Sequence, residues 1–156
     1  MADGTPPRRV DENAARARFE EALATHEQRF EQFFLARLWG LTYAYLPEGA
    51  ADAEKQVCRI TFDASEMSFN PQGVVHGGVL ATVMDISMGH LVNKVAGPGA
   101  TIEMKIQYLR PVGSGTVTVE GSFLRRGRSM AFMESRAFDA AGTLSAHATA
   151  TWKMPA

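Results

Sequence analysis

From Gly77 to about Val95 the chain is almost wholly apolar, and its apolar positions run nearly all the way round a helix rather than down one face. A helix of that kind must be buried on most sides. It opens at "NPQGVVHGG" (70–78) and must stop at "AGPG" (96–99). Beyond it the chain reads as strand after strand. "TIEMKIQYL" (101–109) alternates, with Ile102, Met104, Ile106 and Tyr108 facing one way and Glu103, Lys105 and Gln107 the other. "TVTVEGSFLRR" (116–126), "MAFMESRAF" (130–138) and "LSAHATATW" (144–152) come next, joined by hairpin turns at "RRGR" and "DAAG". Two more strands, "LTYAYLP" (41–47) and "KQVCRITF" (55–62), precede the helix. The order implies an α+β chain in which one antiparallel sheet wraps a central helix.

A chain of 156 residues fits one domain with a real core. At 46% hydrophobic and 21% charged, it reads as an ordinary soluble globular protein. A net charge of −1 gives no basic field for nucleic acid. The start "MADGTPPRRV" has no apolar core of a leader, and no run approaches a membrane span, so a cytoplasmic protein is expected. Residues 1–10 read as a flexible start, 11–39 as a helical segment and 40–156 as the main domain. In the helical segment Asp11 can cap, and Phe19, Leu23, Phe30, Phe33, Phe34 and Leu38 form an apolar stripe to about Leu38, with an interruption near Thr25. It reads as a packing helix; its mixed charges argue against a membrane surface. Cys58 is the only cysteine, which excludes an internal disulfide and a Cys-rich zinc site, and it reads as a buried thiol.

Inside the apolar helix sits one acid, Asp85. Its neighbours one turn away are Ala81, Thr82, Met88 and Gly89, and Lys94 is too far along to pair. An unpaired buried carboxylate costs several kcal/mol or takes up a proton. Asp85 therefore has no local structural role, and its mostly small neighbours leave room for a ligand. A nucleophile or general base fits; an ion pair with Arg from another element is the structural alternative. Gly77 and Gly78 open the helix, where N–H groups lack intrahelical partners at the positive end of the dipole. They suit a developing oxyanion, at roughly 3–4 kcal/mol per well-placed donor, or simply a tight strand-to-helix turn. His76 fits either a cap or a catalytic hydrogen-bonding group.

The string Asn70…Gly73…His76-Gly77-Gly78…Asp85, with "TIEMKIQYLRPV" and "GRSMAFMESRAFDAAGTLSAHATATW" behind it, resembles the hotdog-fold thioesterases of the PaaI type over roughly residues 40 to 154. The resemblance implies hydrolysis of an acyl-CoA thioester, with Asn70, His76, Gly77, Asp85 and Thr101 at site positions and no metal or bound redox cofactor. Related 4-hydroxybenzoyl-CoA thioesterases can use Glu where this chain has Asp. Gly78, Thr82, Met88 and Gly89 would line the substrate site, with Met84 and the aromatics as further candidates for the acyl pocket. Gly77 and Asp85 lie eight residues apart, about 12 Å along a helix. One thioester carbon cannot touch both groups of one chain. Two helices packed antiparallel about a two-fold axis would bring Asp85 of one copy to Gly77 of the other. The resemblance implies the same homodimer, alone or as a dimer-of-dimers tetramer.

Arg125, Arg126 and Arg128 cluster at one hairpin, with Arg110 after another strand. They suit the CoA phosphates, or form a solvated turn. His26, His90 and His147 have no metal-ligand spacing and read as structural. No G-x-S-x-G occurs, and "GPGATIE" does not read as a nucleotide loop. The competing class is a non-catalytic acyl-CoA-binding or sensing hotdog protein. Such sensors carry a DNA-binding segment, which one helix of mixed charge before residue 40 does not supply.

Overall fold

The computed structural model describes residues 9–155. The flexible start expected at 1–10 lies outside the described residues, apart from Arg9 and Val10. The elements are α1 (Glu12–Thr25), α2 (Phe34–Trp39), β1 (Thr42–Leu46), β2 (Val57–Ala64), α3 (Gly77–Ala96), β3 (Ala100–Tyr108), β4 (Gly115–Arg126), β5 (Met130–Phe138) and β6 (Leu144–Lys153). The six strands form one sheet in the order β1-β2-β4-β5-β6-β3, with every neighbouring pair antiparallel. The sheet curls around α3. This is the hotdog fold.

α3 is continuous over 20 residues, and Gly97 ends it at φ 97°. Val83, Met84, Met88, Leu91 and Val92 are fully enclosed. They meet the inward rows of the sheet: Cys58, Ile60 and Phe62 on β2, Val117 and Val119 on β4, and Ala146, Ala148 and Ala150 on β6. Small residues set the closeness of the packing. A Cβ on Gly121 would lie 2.6–2.8 Å from Ser87 atoms of the helix. Ser87 spends its hydroxyl on Met84 O at 2.7 Å and meets the Ser135 hydroxyl at 2.9 Å, so the buried contact leaves neither serine unpaired. Cys58 is enclosed as expected, and burial pushes its thiol up to about 12.

Two expectations need correction. The N-terminal helical stretch breaks after Thr25, where an interruption was expected, but α1 does not bury its stripe. Phe19 is 50% and Leu23 55% exposed. α1 leans chiefly on α2, with Phe19 edge-on to Phe34 at 5.4 Å. On β3 the clean alternation fails at both ends. Met104 and Ile106 pack on the core, but Ile102 and Tyr108 are exposed. β3 is an edge strand with a bulge between Thr101 and Glu103, so part of its apolar row has no covering layer. Among the described residues no helix is long and apolar enough to cross a membrane.

Candidate active site

The loop before α3 is tied down by its own backbone. Asn70 Oδ1 accepts from Gln72 N at 2.9 Å and Val74 N at 3.4 Å, while Asn70 N donates to Val74 O at 2.8 Å. Gly73 sits at φ 78°, which a side chain would resist. Val75 N donates to Val112 O and His76 N to Ser68 O, each at 2.8 Å. The chain thus reaches the helix in one fixed direction.

His76 is the N-cap. Its Nδ1 accepts from Gly78 N at 2.9 Å, and its carbonyl accepts from Val79 N and Leu80 N. This makes Nε2 the ring's remaining donor. Gly78 N–H, expected to be free for substrate, is therefore consumed by the cap. Gly77 N–H differs: among the described residues it finds no acceptor. Tyr108 from β3 lies against this glycine. Its hydroxyl donates to Gly77 O at 2.8 Å, and a Cβ on Gly77 would sit 3.1–3.4 Å from the ring. Gly77, Asn70, Tyr108 and Arg110 line a cavity of about 300 Å³.

Asp85 lies two turns further along α3 and opens into a different, larger cavity of about 630 Å³. Thr101 Oγ1 donates to Asp85 Oδ1 at 2.8 Å, a pairing across the helix–strand boundary. Among the described residues no Lys or Arg pairs with the acid, so the structural alternative of an ion pair is absent. Burial raises the Asp85 pKa above the ordinary carboxylate value, and the Thr101 bond opposes that shift by favouring the charged form. Thr82 and Gly89 line this cavity, while Thr82 also returns its hydroxyl to Gly78 O at 2.9 Å. Met88 does not line it. Like Met84, it is fully enclosed in the core.

The residues expected at the site thus fall into two groups on one chain: Asn70, His76 and Gly77 at one end of α3, and Asp85 with Thr101 in its middle. Arg110 joins the first group on the wall of the smaller cavity, but the hairpin arginines join neither. Arg126 is paired with Glu54, and Arg125 and Arg128 extend from the exposed β4–β5 hairpin near the Ala100–Lys153 end of the sheet. Residue spacing did not reveal Tyr108, which contacts Gly77 from 31 positions away. Nor did it reveal Phe30, Phe33 and His90 on the wall of the Asp85 cavity.

The sequence profile of the Thioesterase superfamily matches residues 72–146, which hold the opening of α3, Asp85 and the strands behind it. A Halobacterium salinarum protein named as a candidate esterase is 32% identical over 108 residues, covering 65% of this chain and 70% of the relative. The chain belongs to the thioesterase superfamily. Mouse acyl-coenzyme A thioesterase 13 is 29% identical over 86 residues, or 53% of this thioesterase and 60% of the mouse protein. The BH2602 protein from Bacillus halodurans, solved with CoA, shares the hotdog fold at TM-score 0.80 and 22% identity, over 96% of both chains. As a thioesterase family member the chain is a hydrolase, and its hotdog fold is the family's own.

Proposed function

We propose that this protein hydrolyses acyl-CoA to free acid and CoA at a site shared by two copies of the chain. The observation that carries the reading is Asp85: a carboxylate with a raised pKa, bonded to Thr101 and to no cation, on the wall of a large cavity. The mouse relative's name and the CoA held by the Bacillus neighbour support the substrate class.

The thioester carbonyl rests on Gly77 N–H. Asp85, acting as general base, takes a proton from water, and the oxygen attacks the thioester carbon. Negative charge builds on the carbonyl oxygen, where the backbone donor and helix dipole offset it. Collapse breaks the C–S bond and releases CoA as its thiol after the proton returns to sulfur; the acid leaves as carboxylate. Direct attack by Asp85 would instead give an acyl anhydride that water opens; isotopically labelled water in a single turnover separates the two. His76 and Asn70 would orient the thioester or water, and Thr101 holds the acid.

α3 is unbroken, so Gly77 and Asp85 of one chain are about 12 Å apart along it. The free edge of β3, with Ile102 and Tyr108 exposed, offers a second copy a surface to cover. A two-fold partner would then supply the missing end of each site. Co-expression of differently tagged Asp85→Ala and Asn70/Gly77 double-variant chains tests this. Random pairing makes about half the dimers mixed, and each mixed dimer holds one intact site. Activity should return to about a quarter of wild type from two dead parents. Folded mixed dimers that stay dead exclude the shared site. Wild-type protein that binds acyl-CoA without turnover establishes the sensing alternative.

A further inference from the structure

We propose that the segment from Phe30 to Leu35 is the acyl selector of this site, anchored beside the catalytic acid by His90, and that it admits an uncharged apolar acyl group. The inference rests on acyl-CoA hydrolysis at Asp85. The segment lies outside the stretch shared with the superfamily profile.

Phe30, Phe33 and Leu35 line the same cavity as Asp85, together with Ile86, Met104 and Trp152. The segment is held in place rather than draped. Its backbone turns on itself, with Glu27 N donating to Gln32 O at 2.9 Å and Phe33 N to Arg29 O at 3.0 Å. His90 then fixes it to α3. The His90 ring is 1% exposed, and its Nε2 lies 2.7 Å from Phe30 O. A carbonyl only accepts, so Nε2 carries the hydrogen, and Nδ1 is left to face the Tyr45 hydroxyl at 3.3 Å. Tyr43 stacks on the imidazole at 4.3 Å, and Phe30 meets it edge-on at 5.5 Å. His90 is five residues beyond Asp85, about 7.5 Å along the same helix. The acid and the anchor of the aromatic wall are therefore set by one rigid element.

The lining also sets the charge of the acyl group. Among the described residues of this cavity no Lys or Arg occurs, and the only acid is Asp85. A second carboxylate at the far end of an acyl chain would find no cation there and would share the cavity with Asp85. His90 is a positioning residue, acting through the wall it holds.

The experiment measures kcat/KM over a ladder of straight-chain acyl-CoAs and one ω-carboxyacyl-CoA matched in length to the best substrate. Wild type should disfavour the carboxylated substrate by at least about tenfold, the scale on which pocket contacts discriminate. Phe33→Ala should move the preferred length upward, with about a tenfold rise in the long-to-short ratio, and Phe33→Trp should move it downward. Phe33 is only half-buried, and Phe30→Leu gives a second variant of the wall. His90→Leu should flatten the profile, whereas His90→Gln, which keeps an N–H, should restore it. Active wall variants with an unmoved profile overturn the selector, as do folded wall variants that lose every substrate alike. Equal turnover of the carboxylated substrate overturns the charge assignment. A wild-type protein that cleaves no acyl-CoA ends the acyl-CoA reading itself; an active protein with an unmoved profile ends this one alone.

Discussion

The two ends of the proposed catalytic stretch of α3 are prepared in opposite ways. At Gly77 the useful group is a backbone N–H, and the protein readies it by removing competitors. His76 takes the N–H of Gly78, Tyr108 takes the carbonyl of Gly77, and the glycine itself leaves no side chain in the way. At Asp85 the useful group is a side chain, and the protein readies it by withholding partners. No cation is supplied, burial raises the pKa, and a single Thr101 hydroxyl keeps the carboxylate oriented. An unspent donor stays available because it cannot lose its hydrogen; an unspent acid stays available only above its pKa. The first group, the Gly77 N–H, should therefore be insensitive to pH and tolerant of chemistry but not of volume. The second should be sensitive to both.

The largest expected effect comes from removing the acid. Asp85→Asn should lower kcat/KM by at least about 10²-fold while the fold persists. Because the native pKa lies above the unfolded one, the native state holds the proton more tightly, and stability falls as pH rises between the two values. At neutral pH the Asn variant should thus melt no lower than wild type by calorimetry. A dead variant that also melts well below wild type would mean the acid is structural.

Thr101→Val comes next. Loss of the hydroxyl removes the one bond favouring the charged carboxylate, so the acid limb of the kcat/KM profile should move to higher pH. At a pH below the new limb the rate should fall by about tenfold, and at high pH part of it should return. An unshifted limb would separate Thr101 from the titration of Asp85.

At the other end Tyr108→Phe keeps the ring against Gly77 but loses its hydrogen bond. The cost should be about 0.5–1.5 kcal/mol of stability, read by urea titration, and a rate loss of only severalfold with no movement of the pH profile. A shifted profile here would break the contrast between the two ends.

The smallest effect is expected from the hairpin. Arg126 is committed to Glu54, and the neighbouring guanidiniums are exposed. The Arg125/Arg126/Arg128 triple change to Ala should raise KM by no more than a few-fold, and weaken its salt dependence. A KM and salt response identical to wild type would leave the cluster a solvated turn.

How much of the molecule could be read from the chain depended on the range of the interactions. Alternation in β4 and the hairpin turns flanking β5 and β6 placed β5 at its observed limits and β4 and β6 within a residue, because those strands have one face buried and one wet. The apolar helix was legible because nothing but a surrounding sheet could cover it. β2 begins two residues later than expected, since Asp52 caps a short helical turn over 53–55. Asp85 was visible as an anomaly, an acid without a neighbour to neutralise it. Thr101 was named as a site position only through family resemblance, and its bond to Asp85 was not foreseen, since no local rule links positions 16 apart on different elements. Tyr108 and Phe30 were hidden for the same reason, and Met88 was misplaced because a helix buried all round gives no sign of which side faces a cavity.

The continuity of α3 reaches beyond any one side chain. Each residue of a helix turns its neighbour by about 100° and advances it about 1.5 Å. One codon lost between Gly78 and Asp85 would swing the carboxylate from its cavity to the place of Met84 in the packed core, and would turn His90 out of its own place as well. The stretch can accept many replacements of similar size, yet it has no freedom in length. Across descendants of this gene, the eight-residue interval should resist insertion and deletion more firmly than most of the letters inside it resist change.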